Sequence, residues 1–318
     1  MAKPIASVIF GLSGLSLTDA ERSFFERINP LGFILFDRNV KNPDQLRALT
    51  ADLRATVGRS DAPILVDQEG GRVQRLWPPY WDGLPFAGTY GDWYVEQSAE
   101  KAMNAVVRHA EKLADMLLDV GINVDCWPCL DVASSDIHPV LGKRLFSDQP
   151  EIVSILGNTA VETMLNKGLM PVIKHIPGYG KATCDPHANL PVVSADLTTL
   201  ETDFYPFRQA DKHVWGMTAH VLYTALDNQK PATVSRSVLD FVRREIGFQG
   251  FLVCDDISMG ALKGAVDVLA KECLTAGCDA VLHCNGQMAD MERVAAVIPP
   301  LSDQSLARYV KAESLKNG

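Results

Sequence analysis

Eight short apolar runs, separated mostly by stretches with helical periodicity, narrow the choice of fold for this chain more than any other feature. Such alternation is typical of α/β proteins with a parallel sheet, and eight repeats favour a closed (β/α)8 barrel. A doubly wound open sheet is the alternative, but no G-x-G-x-x-G follows the first run. We therefore predict one catalytic domain, an α/β TIM-type barrel, over residues 1–318. The predicted strands are residues 6–10, 32–36, 63–66, 123–127, 171–174, 216–219, 251–254 and 280–283.

Helix-start signals lie between these runs. Thr18 and Glu21 form a capping-box pattern, in which each side chain can bond the backbone amide of the other residue. Asn42 followed by Pro43 is a second start, since asparagine caps helices well and proline is tolerated in the first turn. Longer amphipathic patterns cover residues 100–120 and 148–167.

The charge of the chain argues against a polyanionic partner. Its 318 residues carry 39 acidic and 30 basic side chains, a formal net charge of −9. No basic stripe with interleaved aromatic residues occurs, so we expect no nucleic-acid binding. No apolar run is long enough to span a membrane, and the first residues lack the features of a signal peptide. The sequence therefore predicts a cytoplasmic protein that binds no membrane.

Seven cysteines are scattered along the sequence, an odd number. Cys126 and Cys129 form a C-x-x-C, a spacing used in redox and zinc sites, but no second pair follows it. We interpret the cysteines as reduced thiols in and around buried strands. The sequence predicts neither a cofactor nor a metal.

Polar side chains follow the predicted strands at the end where barrel enzymes carry their active sites. The strand bodies are apolar, whereas the residues directly after them are charged or can form hydrogen bonds. Because these strand ends meet on one face of a barrel, the side chains are expected to surround one pocket. They are Asp37-Arg38-Asn39, Asp67-Gln68-Glu69, Asp131, Lys174-His175, His220, Asp255-Asp256 and His283-Cys284-Asn285.

The segment from Lys174 to His187 is rich in glycine and proline and ends with Asp185-Pro186-His187. A carboxylate beside an imidazole can fix the ring tautomer and raise its proton affinity, which suits proton transfer near neutral pH. Pro186 restricts the backbone and favours a fixed Asp–His pair. Together with the carboxylates at positions 255 and 256, this segment indicates the acid–base chemistry of glycoside hydrolysis.

Asp255 and Asp256 are two adjacent carboxylates at the end of the seventh run. Neighbouring residues of a strand point to opposite sides, so only one is expected to face the pocket squarely. An ionised carboxylate inside a barrel is costly unless it is hydrogen-bonded or used in chemistry. For Asp256 the alternative is an N-cap for a helix over the segment that follows, residues 257–262.

Six motifs, which together span nearly the whole chain in order, resemble those of glycoside hydrolase family 3. The closest resemblance is to its single-domain bacterial β-N-acetylglucosaminidases of peptidoglycan recycling. Three departures from the family pattern matter: Tyr179 replaces a His, while Pro186 and Cys254 each replace a Ser. The family's D-Q-E-G-G-R-V stands at 67–73, G-x-R-x-F at 142–146, K-H-F-P-G-H-G at 174–180, D-S-H at 185–187, M-x-A-H at 217–220 and S-D-D-L-S-M at 254–259.

The resemblance implies roles for particular residues. Asp255 would be the nucleophile, and His187 the general acid/base with Asp185 orienting its ring. The implied activity is that of a retaining exo-β-N-acetylglucosaminidase, which removes terminal N-acetylglucosamine from muropeptide fragments through a covalent glycosyl-enzyme intermediate. The residues implied to grip or surround the sugar are Asp67, Arg144, Lys174, His175 and His220.

Other functions stay open at this point. A non-catalytic sugar-binding protein would be expected to lack Asp255 or His187, and both are present. A family 3 β-glucosidase or a phosphorylase would use the same chemistry. A phosphorylase is compatible with this site because an uncharged His base tolerates an incoming phosphate better than a carboxylate does. A metal-dependent barrel hydrolase would use His175, His187, His220 and Asp255 as ligands. Such an enzyme is expected to carry an H-x-H or H-E-x-x-H spacing, and this sequence has neither.

Overall fold

The computed structural model describes residues 3–134, 142–182 and 189–316. Eight strands form one parallel sheet in the order β10-β1-β2-β3-β4-β5-β7-β9, and β6 pairs with β8 in a separate two-stranded sheet. The strands are β1 (Ala6–Gly11), β2 (Pro30–Leu35), β3 (Ile64–Val66), β4 (Val124–Asp125), β5 (Met170–Ile176), β6 (Val192–Val193), β7 (Trp215–Thr218), β8 (Leu222–Tyr223), β9 (Leu252–Val253) and β10 (Val281–His283).

Helices connect the strands and cover the outside of the sheet. They are α1 (Asp19–Ile28), α2 (Pro43–Val57), α3 (Ala87–Glu96), α4 (Ala99–Asp119), α5 (Pro150–Asn166), α6 (Leu197–Gln209), α7 (Arg236–Phe241), α8 (Val266–Ala276), α9 (Met288–Ala295) and α10 (Asp303–Glu313). Short 3-10 turns occupy Asp37–Asn39, Gly142–Arg144 and Ala232–Val234, and a π-helix occupies Val242–Ile246. Among the described residues, no helix has both the length and the apolar composition needed to cross a membrane.

The predicted barrel is confirmed. Each of the eight predicted runs overlaps one strand of the large sheet, and every residue of those strands is buried. Both faces are covered, because the barrel interior lies on one side and helices on the other, which explains the continuous apolar runs. The capping box at Thr18 and the cap at Asn42 are present as predicted. The pair β6–β8 and the helix α3 were not predicted.

The barrel closes between β9 and β10, where regular pairing is shortest. One isolated bridge, Val253 to Ala280, joins the two strands. The Cys254 Sγ accepts the backbone N–H of Leu282 at 3.1 Å, so this thiol replaces a missing ladder acceptor. Side chains therefore complete a closure that the backbone alone makes only in part.

Asp279 supplies the second part of this closure, at the strand end opposite the predicted pocket. Its carboxylate is buried and accepts the backbone N–H of Leu252 at 2.9 Å. The guanidinium groups of Arg243 and Arg308 contact it at 2.9 and 2.8 Å, and the Ser305 hydroxyl at 2.8 Å. One carboxylate thus links β9, β10, the π-helix and α10.

We expect Asp279→Ala to lower the free energy of unfolding by about 3–5 kcal/mol, because it leaves buried guanidinium charge without its partner. Denaturant unfolding measures this loss. Asp240→Ala is the control, since it breaks the surface pair Arg236–Asp240 and should cost less than about 1 kcal/mol. Equal losses in the two variants would contradict a special role for Asp279.

Candidate active site

A cavity of about 490 Å³ opens at the C-terminal ends of the barrel strands. Residues that follow β2, β3, β9 and β10 meet there with residues of β5, so chain segments far apart in sequence share one wall. The sequence prediction that polar strand ends surround a single pocket is met in part, because some of those residues line the cavity and others do not. The ones that do not line it are Asp37, Asn39, Gln68, Glu69, Asp131, His220 and His283. Side chains that line it include Asp67, Arg144, Lys174, His175 and Asp255, together with Phe36, Arg38, Arg75, Tyr179, Met217, Asp256 and Cys284.

Lys174, on β5, lies between two carboxylates that follow β3. Its Nζ is 3.0 Å from Asp67 Oδ1 and 2.7 Å from Glu69 Oε1. Arg144 binds the same Glu69 in a two-pronged contact, with Nε and one terminal nitrogen at 2.8 and 2.6 Å from its two oxygens. Arg75 contacts the other oxygen of Asp67 at 3.3 Å. Three cations and two carboxylates therefore form one continuous network.

This network decides which of its members are charged. Burial opposes ionisation of Asp67, but Lys174 and Arg75 outweigh it and hold the pKa of this carboxyl well below its usual range. Burial likewise opposes the charge of Glu69, yet Arg144 and Lys174 lower its pKa from 4.5 to about 2. Burial also opposes the charge of Lys174, but the two carboxylates raise its pKa above its usual range. All three are ionised at neutral pH.

The turn after β3 sets the direction of Glu69. Gly70 and Gly71 both have positive φ, of 99° and 58°, a region that disfavours residues with a side chain. A Cβ at Gly70 would lie 2.2 Å from the backbone oxygen of Pro85. The paired glycines therefore let the chain fold back sharply and point the Glu69 carboxylate towards β5.

His175 is oriented by Asp131, a fully buried residue that follows β4. The Oδ2 of Asp131 is 2.7 Å from His175 Nδ1, while Oδ1 accepts the backbone N–H groups of His175 and Tyr179 at 3.1 and 2.7 Å. Burial opposes the charge of Asp131, but His175 and these donors hold its pKa below the usual range. Since an ionised carboxylate only accepts, Nδ1 carries the proton and Nε2 is the other ring nitrogen available for hydrogen bonding.

Cys129 joins the same carboxylate, with its Sγ 3.0 Å from Asp131 Oδ2. Among the described residues, Cys129, Asp131 and His175 form one group whose donor atoms are close enough to share a metal ion. The ligand atoms of tetrahedral zinc lie about 3.3–3.8 Å apart, given bond lengths of about 2.0–2.3 Å. The separations of 2.7 and 3.0 Å at Asp131 Oδ2 are shorter and fit hydrogen bonds instead.

Asp255 and Asp256 both border the cavity, contrary to the expectation that only one would face it. Their carboxylates differ in what they contact. Asp256 accepts the backbone N–H groups of Ser258 and Cys284 at 3.0 and 3.1 Å and the Ser258 hydroxyl at 2.6 Å. Asp255 accepts only the N–H of Asp256, at 2.8 Å on Oδ1, from the described part of the chain. Asp256 thus holds the loop, although the helix that it was expected to cap at residues 257–262 is absent and turns stand there instead, while Asp255 keeps one oxygen for the cavity.

His220 requires a correction, because it was predicted to line the pocket. Its side chain is buried and does not border the cavity. Nε2 is 2.9 Å from the backbone oxygen of Asp256, and Nδ1 is 2.8 Å from Thr233 Oγ1. His220 therefore lies behind the wall that carries Asp255, with both ring nitrogens occupied.

The predicted acid/base pair, Asp185 and His187, lies outside the described residues. Arg75 was missed as part of the site, whereas Glu69 and Asp131 were predicted only as polar strand ends and were given no role. Glu69 and Asp131 belong to the polar strand ends, which was the available signal, but nothing in the sequence named their partners. Arg75 carried no signal beyond its position eight residues after Asp67.

Comparison with known proteins gives a consistent family relationship. The family profile described as Glycosyl hydrolase family 3 N terminal domain matches residues 15–310. A protein named beta-hexosaminidase from Alkalilimnicola ehrlichii is 35% identical over 317 residues, which cover 96% of this chain and 88% of that protein. Another of the same name, from Chromobacterium violaceum, is 36% identical over 318 residues, with 97% and 87% covered.

A solved structure shares the fold closely. NagZ from Neisseria gonorrhoeae, crystallised in complex with N-trifluoroacetyl-D-glucosamine, superposes with a TM-score of 0.89 at 32% identity. The match covers 97% of this chain and 90% of that one.

We expect Glu69→Gln to destabilise the protein at pH 6 by about 3 kcal/mol. The depressed pKa of Glu69, from 4.5 to about 2, corresponds to this amount at about 1.4 kcal/mol per pH unit. Because the folded-state pKa is the lower one, this stability is present above pH 4.5 and is lost as pH falls towards 2.

Denaturant unfolding of wild type and Glu69→Gln between pH 6 and pH 2.5 measures the difference, which should narrow as the solution becomes more acidic. Asp44→Asn is the matched control, since Asp44 is exposed on α2 and its loss should change little at any pH. A difference that stays constant with pH would show that folding does not shift the pKa of the Glu69 carboxyl, and one that changes in the opposite direction would show that folding raises it.

Proposed function

The chain belongs to glycosyl hydrolase family 3, and we propose that it is a retaining exo-β-N-acetylglucosaminidase. The observation that carries this proposal is the pairing of one partly free carboxylate, Asp255, with a dense set of hydrogen-bonding groups in a single cavity. A sugar needs several fixed donors and acceptors for its hydroxyls, and a retaining glycosidase needs a nucleophilic carboxylate below the anomeric carbon.

Asp67, Arg144, Lys174 and His175 are proposed to bind the sugar hydroxyls. Each lines the cavity, and each is held by partners behind it, so little conformational freedom is lost when the sugar binds. Ionised Asp67 accepts hydrogen bonds from hydroxyl groups, while Lys174 and Arg144 donate them. This division of donors and acceptors supports recognition of a polyol rather than an apolar ligand.

Asp255 is proposed to be the nucleophile. Its Oδ1 is tied to the backbone of Asp256 at 2.8 Å, so Oδ2 is the oxygen that attacks the anomeric carbon. The bond from that carbon to the leaving oxygen breaks as the bond to Asp255 forms, giving a covalent glycosyl-enzyme. Water then attacks the same carbon, releases Asp255 as a carboxylate and restores the β configuration.

His187 is proposed to move the proton in both steps, with Asp185 orienting its ring. It gives a proton to the leaving oxygen in the first step and takes one from water in the second. An imidazole has an ordinary pKa of about 6.5, so it can serve as acid and base near neutral pH without strong tuning. Support comes from the D-P-H sequence at 185–187 and its match to the family loop.

The substrate is proposed to be a peptidoglycan fragment, or muropeptide, with a terminal N-acetylglucosamine. Two relatives are named beta-hexosaminidase, and the structural neighbour was crystallised with an N-acylated glucosamine. We propose that the chain works in the cytoplasm as one catalytic domain. The six described cysteines are all free thiols and the family profile spans most of the chain, which supports both points.

Asp255→Ala should lower kcat/KM for an aryl β-N-acetylglucosaminide by roughly 10³-fold or more, since covalent catalysis is lost. Asp256→Asn, its matched neighbour, should mainly lower stability by weakening the loop that it caps. Steady-state kinetics and thermal unfolding of both variants provide the measurement. Similar losses of turnover without loss of stability in both variants would overturn the assignment of the nucleophile.

Wild-type turnover tests the substrate class directly. An aryl β-N-acetylglucosaminide should be cleaved far faster than the corresponding aryl β-glucoside. Added phosphate should neither raise the rate nor yield a sugar phosphate. The opposite results would identify a β-glucosidase or a phosphorylase.

His187→Ala should impair poor leaving groups much more than good ones. General acid catalysis is worth about 10²–10⁴-fold, but a nitrophenolate departs without protonation. We therefore expect kcat/KM, which reports the first chemical step, to be nearly retained for nitrophenyl substrates and strongly reduced for a disaccharide. A loss that is equal across a series of leaving groups would mean that His187 is not the acid.

A further inference from the structure

A buried chain of hydrogen bonds runs behind the wall that carries Asp255. Thr218, at the end of β7, is 2.8 Å from Thr233 through their hydroxyl oxygens. Thr233 Oγ1 is 2.8 Å from His220 Nδ1, and His220 Nε2 is 2.9 Å from the backbone oxygen of Asp256. All three side chains are buried, with at most 1% of each residue exposed.

The direction of donation is fixed at the Asp256 end of this series of hydrogen bonds. A backbone carbonyl can only accept, so Nε2 of His220 must carry a proton. In the neutral ring Nδ1 then accepts from the Thr233 hydroxyl, which in turn accepts from Thr218. Thr233 Oγ1 also lies 3.0 Å from the backbone oxygen of Ala219, which competes for the same hydroxyl proton. The Asp256 carbonyl thus selects the tautomer with Nε2–H, and Thr233 supports this tautomer when its hydroxyl proton points to Nδ1 and not to Ala219.

Asp256, the last residue in this series of hydrogen bonds, is the one that holds the proposed nucleophile. The backbone N–H of Asp256 donates to Asp255 Oδ1 at 2.8 Å. The carbonyl of the same residue is held by His220, and its carboxylate is held by Ser258 and Cys284. Asp256 is therefore fixed through its carbonyl and its carboxylate, and its N–H donates to the carboxylate of Asp255.

We propose that His220 is a positioning residue for the reaction. Through Asp256 it fixes the direction of the Asp255 carboxylate, and the contact of Thr233 with Nδ1 holds the His220 ring in place. The inference rests on the proposed function, which makes Asp255 the nucleophile. It assigns His220 an effect on the rate of bond formation and none on sugar affinity, because the side chain does not border the cavity.

The first test compares His220→Ala with His220→Gln. Glutamine can place an amide N–H near the position of the imidazole Nε2–H, whereas alanine removes the donor. We expect alanine to slow formation of the glycosyl-enzyme by about 10²-fold, the scale of a misplacement of roughly 1 Å. Glutamine should restore most of that rate. Binding of N-acetylglucosamine, measured by calorimetry, should change less than about twofold in either variant.

The second test uses a matched pair at Thr233, which keeps the proposal testable if His220→Ala fails to fold. Thr233→Val removes the hydroxyl with little change in shape, and Thr233→Ser retains it. Valine should lower the glycosylation rate and leave N-acetylglucosamine binding unchanged, while serine should resemble wild type. Thermal unfolding shows whether either change acts only through stability.

Distinct outcomes separate this inference from the proposed function. Wild-type protein is first treated with 5-fluoro-N-acetylglucosaminyl fluoride, whose fluoride leaves as the sugar bonds to the nucleophile, and the labelled peptide is identified by mass. A label elsewhere than Asp255 would refute the proposed nucleophile. With Asp255 labelled, two results would overturn the positioning role alone. One is an unchanged labelling rate in Thr233→Val together with an unchanged rate in His220→Ala, where that variant folds. The other is a slower rate in His220→Ala that comes with weakened sugar affinity.

Discussion

The ion pairs of Lys174 with Asp67 and Glu69 are the interaction on which the rest of the site depends. Only 3% of the Lys174 side chain is exposed, and a buried ammonium group without partners would be strongly destabilising. The two carboxylates remove that cost, and Arg144 balances the second of them. Because every member is held by another, the hydrogen-bonding groups in the cavity are already in position before a sugar arrives, which lowers the entropic cost of binding.

The cavity has two walls that are built differently, one carrying the Lys174 network and the other carrying Asp255. Lys174 belongs to β5, in the middle of a regular sheet, whereas Asp255 follows β9, where pairing with β10 is short and completed by side chains. That wall is stabilised by discrete contacts: Cys254 to the backbone of Leu282, Asp256 to Cys284 and His220 to Asp256. The proposed sugar-binding residues and the proposed nucleophile thus have separate supports, so we expect that mutations can alter one group with little change in the other.

Much of this arrangement could be predicted from the sequence, and the misses have specific causes. The polar residues at strand ends located Asp67, Lys174, His175 and Asp255 in one pocket, since strand ends of a barrel share a face. His220 carried the same signal, yet its ring turns behind the wall to bond Asp256. Asp131 and Glu69 were visible only as polar positions. Their partners His175 and Arg144 lie 44 and 75 residues away in the chain.

The sequence by itself determined the eight strands, their order along the chain and the residues at their ends. Apolar runs and turn signals are local, so they can be read without knowing what they pack against. Only the tertiary structure decided which polar side chains face the cavity and which bond one another. The barrel strands are buried on both faces, so no alternation of polar and apolar residues marks the inward side. Lys174 and Asp67, 107 residues apart, meet only once the barrel has closed.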